Sequence, residues 1–137
     1  MGYIRTKYIA GNPYAYFVEC KGKKQKVKAY LGRVFEGSIS KRSSVNGKSK
    51  RKFLINFVAQ ISGPSSVVVD GLTVTKGCKN VVLKIDDGYV CSFTLNRILR
   101  FRKSDDLEKD GKILAKYFLD AGLPVTQDEF IAYYQKC

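Results

Sequence analysis

Two Asp-Gly turns between β-branched runs constrain this chain more than any other feature. Val67-Val68-Val69 and Leu72-Thr73-Val74 flank Asp70-Gly71, and residues 81–85 and 89–95 flank Asp86-Asp87-Gly88. Tight hairpin turns need positive φ at their centre, which Asp and Gly supply at little steric cost. Each cluster therefore predicts a β-hairpin. In the second, Val81, Leu83 and Ile85 are expected to share a core face with Cys91, Phe93 and Leu95.

Residues 3–35 carry the same signature. Tyr3 to Ile9 leads into Gly11-Asn12-Pro13, a turn cluster. The next strand alternates, with Tyr14, Tyr16, Val18 and Cys20 to one side and Ala15, Phe17 and Glu19 to the other. Lys21-Gly22-Lys23-Lys24-Gln25 reads as a five-residue hairpin loop. The return strand sets Val27, Ala29 and Leu31 against Lys26, Lys28 and Tyr30. The pattern predicts a three-stranded meander with a packed side and a basic, tyrosine-bearing side.

Residues 36–52 show no periodicity and are rich in Ser, Gly and Lys. Such a composition buries too little apolar surface to offset its ordering entropy, so a flexible basic arm is expected, or a long hairpin closed at Asn46-Gly47. The apolar run 53–61 reads as a strand, and 95–102 as a strand or a short turn of helix.

The last 34 residues read as two helices. Asp105 is placed to cap the first, with Glu108 as its capping-box partner. Leu107, Leu114, Phe118 and Ala121 recur at helical spacing, and Gly122 and Pro124 end the helix. Thr126 caps the second with Glu129 at its third position, and Val125 and Phe130 are spaced as a hydrophobic staple.

The fold class is then α+β. A β-rich small barrel or sandwich of several hairpins is followed by a C-terminal two-helix hairpin, since closing or stacking sheets removes exposed strand edges. The chain divides into a basic meander (1–35), a basic arm (36–52), hairpins completing the same domain (53–103) and the helical pair (104–137).

Charge carries the functional reading. The first 52 residues hold 14 Lys and Arg against Glu19 and Glu36, a net +12. The other 85 hold 11 basic and 10 acidic residues, a net +1. A one-sign field over under half of a small protein attracts polyanions. The residues expected to meet phosphates are Lys21, Lys23, Lys24, Lys26, Lys28, Arg33, Lys41, Arg42, Lys48, Lys50, Arg51 and Lys52. Tyr30 is expected to stack on a base or touch the backbone.

Other classes find less support. The chain has no His, which removes the commonest general base and metal ligand. It has no Gly-rich phosphate loop and no nucleophile elbow, so no enzyme, cofactor or metal is expected. Cys20, Cys78, Cys91 and Cys137 lack zinc-site spacing, and Cys20 and Cys91 read as buried thiols. No apolar run reaches the ~18 residues of a membrane span, and a cytoplasmic or intraparticle location follows. A helix-turn-helix role for the last two helices is disfavoured, because Asp128-Glu129 would put acids where a recognition helix needs cations or amides.

The N-terminal third also resembles a known module. The run Tyr3-Ile4-Arg5-Thr6-Lys7, then Tyr14-Ala15-Tyr16-Phe17-Val18-Glu19, Gly22-Lys23-Lys24 and Ala29-Tyr30-Leu31-Gly32-Arg33-Val34 is similar to the β module that opens many DDE-type insertion-sequence transposases and some archaeal proteins, including Fic-type ones. The resemblance covers about a quarter of the chain and stops at Val34. It implies a nucleic-acid-facing module and not transposition, since no carboxylate-bearing catalytic domain follows. The expected function is non-catalytic binding of duplex DNA or structured RNA. The alternative is a structural component of a ribonucleoprotein or virus particle, with the C-terminal helices meeting a protein partner.

Overall fold

The computed structural model describes residues 2–39, 42–45 and 47–137. Lys41 and the proposed Asn46-Gly47 turn therefore fall outside, or partly outside, the described residues. The chain forms β1 (Gly2–Ile9), β2 (Asn12–Lys21), β3 (Lys24–Glu36), β4 (Ser38–Ile39), α1 (Lys50–Val58), β5 (Ile61–Ser62), β6 (Val68–Asp70), β7 (Thr73–Lys76), β8 (Lys79–Ile85), β9 (Gly88–Val90), α2 (Ser92–Leu99), α3 (Leu107–Asp120) and α4 (Gln127–Lys136). The fold is α+β, with the helical pair at the C-terminus as the sequence predicts.

Seven strands make one sheet in the order β1-β2-β3-β8-β7-β6, with β9 also paired to β8. The sheet stays open and does not close into a barrel; its layers give a sandwich-like small domain. The expected hairpins β1-β2, β2-β3, β6-β7 and β8-β9 are all antiparallel, whereas β3 and β8 run parallel. Both faces of β8 are buried. Val81, Leu83 and Ile85 join the main core with Phe53, Phe57, Leu95, Leu114, Phe118 and Tyr133. Val82 joins a smaller core with Ala15, Phe17, Leu31, Val34 and Cys91. Burial on two faces explains the unbroken apolar stretch Val81-Val82-Leu83 within β8.

Several expectations are corrected. The run 53–61 is not a strand: its first part belongs to α1. Phe53, Leu54, Phe57 and Val58 are buried, a spacing that repeats every four residues, and the Ser49 side chain accepts from the Lys52 N–H as cap. A short apolar run cannot separate strand from buried helix by pattern alone. The second hairpin also ends early. β9 stops at Val90, Cys91 takes the N-cap position of α2, and Thr94 donates to the Tyr89 carbonyl while its hydroxyl accepts from the Cys91 N–H. Leu95 therefore reaches the main core from a helix, while Cys91 and Phe93 pack in the smaller core.

The segment 36–52 is not a loose arm in its described residues. Ser38–Ile39 pairs with Ile61–Ser62, Val45 is buried, and Lys50–Lys52 open α1. The side chain of Arg42 lies 4.3 Å over the Phe57 ring and bonds the buried carboxylate of Glu129, which also accepts from the Val45 N–H at 2.8 Å. The missing ingredient was long-range: a coil rich in Ser and Lys is ordered here by an acid 84 residues away.

Smaller differences follow. The hairpin loop at Gly22 is two residues long, since Lys21 pairs with Lys24. Asp106, one residue beyond the expected Asp105, caps α3, and Leu107 stays exposed. Thr126 and Glu129 form the expected capping box. Cys20 is exposed, Cys91 is buried and all four thiols are free. Tyr133 is fully buried, donates to the Ile98 carbonyl at 2.7 Å and is not available to a partner.

Candidate nucleic-acid interface

Helices cover one side of the β1-β2-β3 meander, where Phe17 meets Phe93 (5.0 Å between ring centres) and Thr6 bonds Tyr89 (2.9 Å). The register fixes what the other side carries. Tyr3 faces Val18, Arg5 faces Tyr16, Lys7 faces Tyr14, Tyr16 faces Tyr30, and Tyr14 faces Arg33. Cross-strand partners share a face, so four tyrosines and three cations lie together on the open side.

Two irregularities in β3 create this face. The register shifts between Ala15 and Tyr16 and again between Phe17 and Val18, so that Leu31 and Lys28 are extra residues opposite β2. A bulge re-aims the side chains around it. Tyr30 is thereby brought to Tyr16 (5.2 Å) and Tyr14 (6.3 Å) and stays 58% exposed. The predicted row of Lys26, Lys28 and Tyr30 is broken. Lys26 pairs with Glu19, and the Lys28 ammonium reaches the Glu19 carboxylate at 3.7 Å. A strict period-2 reading cannot see a bulge, which is why the sequence put these three together.

The open face is braced by its own polar groups. Arg5 donates to the Gln25 side chain at 2.9 Å, and Gln25 donates to the Tyr3 hydroxyl at 2.5 Å. Lys7 stands 5.5 Å over the Tyr16 ring. Burial first, and then the neighbouring hydroxyls of Tyr16 and Tyr14, push the Tyr30 pKa up, so its phenol stays neutral near pH 7.

Beside Tyr30, β3 approaches β8 closely. Gly32 has φ +128°, and a Cβ there would collide with the Asn80 carbonyl oxygen, so only glycine allows this approach. The tip of the β7-β8 hairpin rises alongside and leaves a cavity of about 470 Å³ lined by Tyr14, Tyr30, Arg33, Phe35, Lys76 and Lys79 among others. Arg33 and Lys76 each lie 5.0 Å over the Phe35 ring. Arg33 donates to Asn12 at 3.0 Å through one terminal nitrogen, while its buried Nε has no partner among the described residues. Neither Lys76 nor Lys79 was singled out from the sequence. Both lie outside the basic first third and join the face only through the parallel β3-β8 pairing.

The remaining predicted cations scatter. Lys21, Lys23 and Lys24 are exposed at the hairpin tip. Lys48, Arg51 and Lys52 are exposed at the start of α1, whose first turn holds no acid. Lys50 donates to the Phe101 carbonyl at 3.0 Å, and Arg42 is consumed by Glu129.

A second basic cleft lies between α2 and α3. It has a volume of about 640 Å³ and is lined by Asn96, Arg97, Arg100, Arg102, Ser104 and Lys109, among others. Arg97 is held by Asp120 at 3.4 Å and stacks on Tyr117 at 4.3 Å. The buried Asp110 accepts from the Ser104 hydroxyl (2.6 Å) and N–H (2.7 Å); the hydroxyl bond foremost holds its pKa below the usual carboxylate range. This cleft was hidden in the sequence because residues 97–110 hold five cations and four acids, which leaves little net charge to notice.

Among the described residues no group of three or more potential metal ligands comes together, and no helix is long and apolar enough to cross a membrane. No protein-family model, curated protein or solved structure matches the chain.

Proposed function

We propose that this protein is a non-catalytic nucleic-acid-binding protein that works through the open face of its N-terminal meander. The observation that carries the reading is the co-location of exposed tyrosines with Arg5, Lys7, Arg33, Lys76 and Lys79 on one side of a sheet whose other side is packed. Cations on such a face meet phosphates, and rings among them meet bases or sugars. The net charge of +13 supplies long-range attraction. The resemblance of residues 3–34 to a transposase β module supports the same reading, and a cytoplasmic location is part of the proposal. Lys21, Lys23 and Lys24 extend the track along the hairpin.

The test is binding as a function of salt. With ~5 phosphates neutralised, affinity falls on the order of 100- to 500-fold between 50 and 200 mM salt. Salt-independent binding, or no binding at 50 mM, removes the reading.

A second reading, a structural component that meets a protein partner through its C-terminal helices, draws on one feature. Exposed Leu107 and Leu119 edge an apolar groove that continues through Phe118, Leu123, Val125 and Phe130. Copurification of a protein instead of nucleic acid, judged by absorbance at 260 and 280 nm before and after a high-salt wash, would favour it.

A further inference from the structure

Building on the proposed function, we infer that the cavity beside Tyr30 takes an unpaired base, so that the natural ligand is single-stranded nucleic acid. The meander alone is an open sheet and would accept any polyanion. The cavity is different because it is concave and mixed in character. Tyr14, Tyr30 and Phe35 supply aromatic walls, and Arg33, Lys76 and Lys79 supply cations. No acid lines it.

Three features point to a base with its flanking phosphates as the occupant. First, the Tyr30 ring is 58% exposed although Tyr14 and Tyr16 stand beside it, so it offers a surface that only a planar guest would complete. Second, Arg33 and Lys76 each lie 5.0 Å from the centre of the Phe35 ring, so cations stand against an aromatic wall of the cavity. Third, Lys76 and Lys79 line the cavity and stay exposed, so the phosphates that flank a bound base can reach them.

The geometry selects against a duplex. Base faces inside a duplex are covered by their neighbours, and its phosphates lie on a convex outer surface. A concave slot with a ring on its wall can be filled only by a base that has left the stack. The shared chemistry is a single strand of either sugar, so the test separates the two.

Fluorescence anisotropy of the full chain at 50 mM salt would use four probes of about twelve nucleotides, within the range of single-strand site sizes. They are oligothymidylate, oligouridylate, a mixed-sequence duplex and an abasic backbone of equal charge. The single strands are expected to bind about 5- to 150-fold tighter than the abasic backbone, and tighter than the duplex. Tyr30→Ala should bring the strands down to the abasic level and weaken the duplex far less, while Tyr30→Phe keeps the ring and the affinity. The chain has nine Tyr and no Trp, so quenching of tyrosine fluorescence by the strand, reduced in Tyr30→Ala, is a second readout. Preference for oligouridylate or for oligothymidylate both support the inference, and a further strand, oligodeoxyuridylate, which shares its base with the first and its sugar with the second, assigns RNA or DNA. Equal affinity for strand and duplex, or equal weakening of both by Tyr30→Ala, overturns it while leaving nucleic-acid binding intact. Absence of binding to all four probes overturns the proposed function itself.

Discussion

The meander face and the segment 42–58 have charge of the same sign and opposite fates. On the meander, Arg5, Lys7 and Arg33 lie in one layer with Tyr3, Tyr14, Tyr16 and Tyr30, and Tyr3, Arg5, Lys7 and Tyr30 stay exposed. In the segment, Arg42 bonds Glu129 over the Phe57 ring and Lys50 bonds the Phe101 carbonyl. One region spends Arg42 and Lys50 on the fold and leaves Lys48, Arg51 and Lys52 exposed at the start of a helix, whereas the other keeps Arg5 and Lys7 at the surface among rings. Charge density along a chain therefore measures attraction at long range, and says little about which cations remain to touch a ligand.

The strongest way to break this comparison is to remove packing from the segment. Phe57 is fully buried, so Phe57→Ala is expected to cost ~3–5 kcal/mol in chemical denaturation. A loose arm leading into a surface strand would lose far less, and a change under 1 kcal/mol would restore the arm.

Arg42→Ala is expected to cost about 3 kcal/mol, the low end for a buried pair because Arg42 remains partly in water. Its partner gives a pH signature. Burial pushes the Glu129 pKa up, but the N–H groups of Thr126 and Val45 and the Arg42 guanidinium outweigh it and hold the carboxyl below its ordinary range. A depressed folded pKa means stability that is present above the unfolded value of about 4.3 and is lost as pH falls through the folded value. Thermal melts from pH 6 down to 2 should show that loss in the wild type and less of it in Glu129→Gln. Parallel slopes would contradict the pair.

On the meander side the same charge deletion should act on binding. Lys76 and Lys79 are exposed, so replacing both by Ser is expected to shift stability by no more than about 0.5 kcal/mol. The slope of log affinity against log salt should then fall by roughly 1 per lost contact. An unchanged slope would place the phosphates elsewhere, with the Arg100–Arg102 cleft the next place to look.

The smallest effect sharpens the picture of α1. Its first turn holds Lys50, Arg51 and Lys52 and no acid, which opposes the helix dipole. Arg51→Glu is expected to stabilise the protein by about 0.3–1 kcal/mol. No gain in melting temperature would mean that the turn is already neutralised by a contact.

Local signals were legible wherever they act locally. The Asp70-Gly71 turn, the Thr126-Glu129 box and the Gly122 stop depend on a few neighbouring residues and stand where the pattern puts them, whereas the second hairpin turns at Asp86-Asp87 and Gly88 already pairs with Ile85. The candidate site was legible only in part. Tyr30 and Arg33 belong to it, but the bulge residues of β3 turn Lys28 towards Glu19, and nothing in a period-2 reading marks a bulge.

The sequence by itself determined the α+β class, the meander, the final helical pair and a surplus of positive charge, because turn chemistry, capping and composition are properties of short stretches. Tertiary structure alone decided the rest. Parallel pairing of β3 with β8 brought Lys76 and Lys79, more than 40 residues along the chain, beside Tyr30 and Arg33. Burial of Glu129 turned a Ser- and Lys-rich coil into packed structure. Both rest on contacts between residues far apart in sequence, whose loop-closure cost and compensating burial no local pattern encodes.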